Sequence, residues 1–539
     1  MFTEERKLYI AHSAKGPIYM NGKMANRHGL IAGATGTGKT VSLQVVAETF
    51  SQAGVPCFMA DMKGDLSGIS QRGNMSSFIE KRCAEFGISA PEFQGMPCRF
   101  FDVFGEQGHA MRTTISAMGP QLLSRILQLN EVQSGVVNII FRIADDNNLL
   151  LIDLKDMRLM LDFVSKTSSE YVTKYGNIST ASIGAIQRAL LALESEGGDK
   201  FFGEPAFDVM DLLDTENGKG VMNVLAADRL MLQPKLYSTF LLWLLTELYT
   251  RLPEVGDNDL PKLVFFFDEA HTLFTDTPKA LTAKIEQIIR LIRSKGVGVY
   301  FITQSPTDIP EVVLGQLGNR IQHALRAFTP KDQKAVRAAA DTFRENPEFN
   351  TADAIMELAT GEALVSFLDE KGSPSIVERA KILFPLSSIG AITEGQRLDI
   401  NKAAPAHIKE YDAYFDRESA YEVLTEQYQE AEKIAAEMAE AEAQQKAQEK
   451  AQQKEAKEAA KASKSKGISR TILGTMIGAA TTSFARSLAT QAAKSITGGS
   501  SNSKSGSTVL SKAAKSATNT AVTTATRKIT NEILKGLLK

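Results

Sequence analysis

The stretch that most constrains the fold of this chain is Leu30–Thr40 (LIAGATGTGKT). Gly33, Gly38, Lys39 and Thr40 satisfy the G-x-x-x-x-G-K-[ST] pattern, with Gly36 inside it. Glycines allow a tight turn in which successive backbone N–H groups point inward at phosphate oxygens. A helix that follows adds the positive end of its dipole. The phosphate cradle therefore comprises Gly33, Ala34, Thr35, Gly36, Thr37, Gly38, Lys39, Thr40 and Val41. Lys39 reaches the β- and γ-phosphates and the Thr40 hydroxyl ligates Mg2+, which makes ATP and Mg2+ the expected cofactors. By residue frequencies alone, the pattern arises by chance in only about 0.02 chains of this length. The context fits as well, because Gly29–Ala32 has the apolar character of a strand end and Val41–Phe50 that of a helix.

A loop of this kind needs a carboxylate strand beside it, and Lys262–Phe267 followed by Asp268-Glu269-Ala270-His271 supplies one. An apolar strand ending in two acids needs a reason, since burying an unpaired charge costs several kcal/mol. A Mg2+–nucleotide gives that reason: Asp268 holds the metal, and Glu269 activates the attacking water as general base. Val55–Ala60 predicts a further buried strand, with Asp61, Lys63 and Asp65 on the loop beyond it. Val297–Thr303 predicts another, ending in Gln304, an amide suited to contact the γ-phosphate. Asn319–Arg326 is expected to be an edge strand, with Arg320 or Arg326 able to reach a neighbouring subunit's nucleotide. Ala363–Leu368 and Val377–Phe384 are expected to close the sheet. Together these predict an α/β fold with a central, mainly parallel sheet.

Between about Gln121 and Asp214 the periodicity turns helical, which predicts an insertion between two halves of one sheet. The chain then divides into residues 1–120 and 215–395 as ATPase core, 121–214 as helical insertion, 396–466 as a charged helix with coiled-coil-like repeats, and 467–539 as a basic tail. In that tail Lys504, Lys512, Lys515, Arg527, Lys528, Lys535 and Lys539 face the single acid Glu532. Such a segment can tether nucleic acid, touch an anionic membrane surface through its last apolar turns, or simply solubilise the protein. The net charge of −2 averages over these unlike segments and selects no partner. Cys57, Cys83 and Cys98 have neither zinc-site nor disulfide-framework spacing. A charged N-terminus and the lack of a long apolar run predict a cytoplasmic protein.

The phosphate loop, Asp61–Gly68 (DMKGDLSG), Phe265–His271 (FFFDEAH) and Ile302–Pro306 (ITQSP) together resemble the HerA/FtsK superfamily of ATPases, over roughly residues 15–390. The resemblance implies a RecA-like domain, a homo-hexameric ring and ATP-driven movement on double-stranded DNA, with a nuclease or another protein as partner. It makes Lys39 and Thr40 the Walker A pair, Asp268 and Glu269 the Walker B pair, Gln304 the sensor, and Arg320 or Arg326 the arginine finger. The stretch ahead of the phosphate loop is too short for the small β-barrel usual in that family. The DEAH string does not make the chain a DEAH-box helicase, because Lys39 and Asp268 stand much further apart in sequence than that family's motifs do. An ATP-dependent switch acting on protein partners is the alternative reading.

Overall fold

The computed structural model describes residues 1–464 apart from Glu4, Asn177, Asp257 and residues 275–278. The basic tail lies outside them. The described residues form fourteen strands: β1 (Leu8–Ser13), β2 (Gly16–Met20), β3 (Gly29–Ala32), β4 (Cys57–Asp61), β5 (Cys98–Asp102), β6 (His109–Ala110), β7 (Thr215–Glu216), β8 (Lys219–Gly220), β9 (Met222–Ala226), β10 (Leu263–Phe267), β11 (Val297–Thr303), β12 (Asn319–Gln322), β13 (Glu362–Ser366) and β14 (Glu378–Ile382). Twelve build one sheet in the order β2-β1-β14-β13-β12-β3-β11-β10-β4-β9-β5-β6, and β7 and β8 form a small separate ribbon.

From β12 to β6 the neighbours run parallel, whereas β13, β14, β1 and β2 are antiparallel to their neighbours. The central parallel strands Leu263–Phe267 and Val297–Thr303 are fully buried apolar runs, as expected where helices cover both faces of a sheet. Helix α1 (Lys39–Gln52) leaves the phosphate loop and packs on one face, where Phe50, Met59, Val264, Phe266, Tyr300 and Ile302 share a core. This is the RecA-like P-loop NTPase fold, and the parallel strands bring their carboxyl ends to one edge.

Two expectations about the sheet border are corrected. The strand Asn319–Gln322 is internal, between β3 and β13, and Arg326 lies beyond it. Strands β13 and β14 do not close the sheet either, because the N-terminal hairpin β1–β2 adds itself outside them, with Ala11 opposite Ile382. Leu8, Tyr9, Ile10 and Ala11 of β1 are buried in the core that they share with Leu43, Val46 and Phe50 of α1.

Helices Ile115–Ile126, Glu131–Asp146, Leu154–Tyr175 and Thr180–Leu193 lie in the chain between β6 and β9. The described residues form two compact units: residues 1–141, 151–154 and 184–417 the first, and residues 142–150, 155–183 and 418–464 the second. The described part of the second unit is held by Asp156, whose carboxylate accepts from Ser419 Oγ (2.5 Å) and Tyr421 N (2.8 Å). Its long helix, Ala420–Lys464, buries Ala420, Leu424, Ala431 and Ala435. No helix among the described residues is long and apolar enough to cross a membrane, and the three cysteines are free thiols.

Candidate nucleotide site

Parallel register brings the sequence signatures together. Ala32, the last residue of β3, pairs with Thr303 of β11, and Phe267 of β10 pairs with both Phe301 and Ala60. Gly33, Gln304, Asp268 and Asp61 therefore emerge side by side from one edge of the sheet. The chain direction alone does not dictate this, since β11 inserts between the loop strand and the carboxylate strand.

The phosphate loop is built around its own carbonyls. Lys39 Nζ donates to Gly33 O (2.7 Å) and Ala34 O (3.1 Å), and Thr37 Oγ1 donates to Ala34 O (2.7 Å). Gly38 caps α1 in a left-handed conformation, with φ 111°. Among the described residues, the N–H groups of Thr35, Gly36, Thr37 and Gly38 donate to no protein acceptor. With the first-turn amides of α1 beside them, they form the donor set that a polyphosphate requires. Thr40 and Val41 begin that helix, both half-buried. Burial lowers the Lys39 pKa, against the opposing pull of Glu269 and Asp268.

The carboxylates occupy unlike settings. Asp268 is 5% exposed, and burial raises its pKa to about 6. One of its oxygens accepts from Glu269 N (2.9 Å). Glu269 is a non-glycine residue at φ 45°, a strained conformation of the kind that gathers at working sites. Burial works against its charge, but Lys63 overrides that and holds the carboxyl below its ordinary range. Lys63 Nζ lies 2.6 Å from Glu269 Oε1, while Glu269 Oε2 is buried without a hydrogen bond, 3.4 Å from His271 Nδ1. An orphaned carboxylate oxygen beside a row of unpaired amides fits a site for a metal–nucleotide.

Lys63 is placed by Asp61, whose carboxylate accepts from the N–H groups of Lys63 (3.3 Å), Gly64 (2.8 Å) and Leu66 (3.2 Å). Of the three charges on this loop, Asp61 thus shapes the turn and Lys63 reaches the site. Gln304 follows β11 directly and is exposed.

The two arginines part company. Arg320 donates to the carbonyls of Leu317 (2.9 Å), Thr342 (3.0 Å) and Leu314 (3.1 Å), and clamps the turn before its own strand. Arg326 is exposed and donates to Met356 O (3.1 Å). It follows Ala324, whose carbonyl accepts from Ala34 N (2.8 Å), and so lies along the chain near the phosphate loop.

The residue that sequence reasoning missed is His323. Its Nδ1–H donates to Glu362 O (2.8 Å), so the neutral ring accepts at Nε2 from Ser42 Oγ (2.7 Å) in α1. A Cβ on Gly33 would lie 2.5 Å from that of His323, so the ring backs directly against the loop. Burial lowers its pKa to about 4. A lone histidine at a strand end carries no signal until the neighbouring strand is known.

With the site described, comparison with known proteins decides its kinship. The family model of the helicase HerA-like C-terminal domain matches residues 6–507. The chain belongs to this family. It is 34% identical over 99 residues to the DNA double-strand break repair helicase HerA of Sulfolobus acidocaldarius, and 32% identical over 99 residues to that of Sulfurisphaera tokodaii. Each match covers 18% of this chain and 19% of the relative, so the chain spans about a fifth of the length of the curated relatives it matches. Similar solved structures include the bacterial conjugative coupling protein TrwBdeltaN70, at 14% identity and a TM-score of 0.45 over 70% of this chain and 89% of that one. VirB4 of Thermoanaerobacter pseudethanolicus is 14% identical with a TM-score of 0.44, over 69% of this chain and 95% of that one.

Proposed function

We propose that this HerA-family chain is a Mg2+-dependent ATPase motor that works as a homo-hexameric ring on double-stranded DNA. One observation carries the reading: unpaired loop amides, Lys39, Asp268 and Glu269 lie at one edge of a RecA-like sheet, on strand ends separated by a single strand. The HerA relatives are named as DNA double-strand break repair helicases, which agrees with it.

In this reading the loop amides and Lys39 bind the polyphosphate, and Lys39 exchanges the Gly33 and Ala34 carbonyls for phosphate oxygens. Thr40 and Asp268 would hold Mg2+, which would supply neutralisation of the phosphate charge. Glu269 takes the proton from the attacking water through its carboxylate, once Lys63 has yielded Oε1 or with Oε2 acting directly. Gln304 meets the γ-phosphate from the next strand end. Arg326, exposed and two residues beyond the Ala324 carbonyl that binds Ala34 N, serves as the finger that reaches the neighbouring subunit's nucleotide, while Arg320 is held by its turn.

Steady-state ATP turnover tests this with no DNA, single-stranded DNA and double-stranded DNA. Lys39→Ala is expected to abolish turnover, and Glu269→Gln to bind ATP without turning it over. Turnover near wild type in the Glu269 variant would refute the site. Turnover indifferent to DNA would refute the DNA motor and favour a switch acting on protein partners.

A further inference from the structure

At the opposite edge of the sheet from the phosphate loop is a half-open cavity of about 270 Å3, lined in part by Arg27, Arg293 and Arg320. Its place follows from the strand directions. Arg27 precedes β3 by two residues, Gly318 precedes β12, and Ser366 ends the antiparallel β13 opposite Arg320. Gly318 N donates to Arg27 O (3.2 Å), and Asn26 Nδ2 donates to Arg293 O (3.4 Å). Three separate segments are thereby pinned together with their guanidinium groups on one cavity.

What is missing there is negative charge. No aspartate or glutamate lines the cavity among the described residues. Arg27, half-buried, and Arg293, exposed, form no ion pair or side-chain hydrogen bond with the described residues. Arg320 donates only to neutral carbonyls and keeps two of its five N–H donors uncommitted. Asp369, in the hairpin that carries the lining residues Gly372 and Pro374, does not itself line the cavity, and its Oδ1 accepts from the N–H groups of Lys371 and Ser373, both at 2.9 Å. Three like charges facing one partly desolvated space repel one another, and a bound anion removes that cost. Guanidinium forks match tetrahedral and planar oxyanions bidentately, and phosphate, with more charge and more acceptor oxygens than a carboxylate, satisfies three of them best.

We propose that this cavity is a second anion site, distinct from the nucleotide site, and that it takes a phosphate group. The phosphate can be free or part of a nucleic-acid backbone, and the two sources give different experimental signatures.

The test compares wild-type protein with Arg27→Ala/Arg293→Ala, both saturated with Mg2+–ADP. Neither arginine has a side-chain partner to lose among the described residues, so thermal denaturation and DNA-free ATP turnover should be unchanged. That control separates failure of this site from failure of the ATPase reading. Calorimetric titration with inorganic phosphate should show binding by the wild type that weakens at least tenfold in the double variant, with Arg27→Lys/Arg293→Lys between them. Anisotropy of a labelled 20-base-pair duplex across a salt series then reports the source. A slope of log K against log salt shallower by about 1.8 in the alanine variant assigns the site to backbone phosphate, at roughly 0.9 per lost cation. An unchanged slope with lost phosphate binding assigns it to free phosphate. The proposal is overturned if the wild type binds no phosphate, if it binds acetate as tightly, or if the double variant binds phosphate as the wild type does.

Discussion

Replacing His323 with asparagine should remove a support of the phosphate loop in a way that depends on pH. The neutral ring bridges Glu362 O and Ser42 Oγ and is fully buried against Gly33. At pH 8 the substitution loses two buried hydrogen bonds and leaves a gap, a cost of about 3 kcal/mol. The folded-state pKa of about 4 lies below the ordinary 6.5, so the native state favours the neutral ring. Its contribution is therefore complete above pH 6.5 and is lost as the pH falls towards 4. At pH 5 the wild type has given up about 2 kcal/mol through this group alone. The stability difference between the two proteins should accordingly shrink from about 3 kcal/mol at pH 8 to about 1 kcal/mol at pH 5. The difference is the quantity to measure, because absolute stability mixes opposing groups. His28, also lowered to about 4, loses stability over the same window, whereas Glu48 and Asp61, both raised to about 7 by burial, gain it as the pH falls. Urea denaturation of both proteins at pH 5, 6.5 and 8 reads it directly. A fluorescent ADP analogue at pH 8 should bind the variant at least threefold more weakly. A stability difference that stays flat from pH 5 to pH 8 would refute the neutral-keystone argument.

Arg320→Ala should destabilise the fold by about 3 kcal/mol, since three carbonyls lose their donor. Arg326→Ala, at an exposed site, should stay within about 0.5 kcal/mol in the same denaturation assay, while lowering turnover when mixed into wild-type protein. Lys63→Ala should lower turnover about tenfold and shift ATP affinity less than threefold, because it unpairs Glu269 and leaves the phosphate cradle intact; steady-state kinetics and equilibrium nucleotide binding check the two halves. Gly33→Ala should abolish nucleotide binding, as its Cβ would stand 2.5 Å from His323 Cβ on a backbone at φ 155°.

What the sequence made legible is whatever is encoded within a few residues. Gly33–Thr40 carries its loop geometry in its own glycines, and FFF-Asp268-Glu269 carries a buried strand and its exit in one run. Long parallel strands such as Val297–Thr303 likewise declare themselves, because burial on both faces demands unbroken apolar side chains. What stayed hidden depends on which strand stands next to which. Asn319–Gln322 has the polar look of a border strand, yet it is internal: Asn319 donates to Met24 O (3.0 Å) and His28 O (3.1 Å), and Arg320 finds three carbonyls. Polar side chains are tolerated at that position because each finds a local partner, which composition cannot reveal. The border on that side is β2, outside β1 of the same N-terminal hairpin, and β1 pairs with β14, the last strand of the sheet in sequence. No local pattern announces a pairing over so long a separation.

The same distinction separates the two arginines. Both stand on one short polar stretch, and spacing offers no ground for choosing between them. Pairing of β12 with β3 sends the start of the stretch to the amino end of the sheet and its continuation to the phosphate loop. Arg320 is drawn into a turn clamp beside Arg27, while Arg326 stays exposed at the nucleotide edge. A strand of four residues is about 13 Å long, enough to put two arginines six positions apart on opposite edges with unlike partners. A finger must be exposed and near the loop edge, and an anion clamp must be pre-organised by neutral acceptors. On that ground we propose Arg326 as the finger, because the three carbonyls that hold Arg320 keep it at the opposite edge.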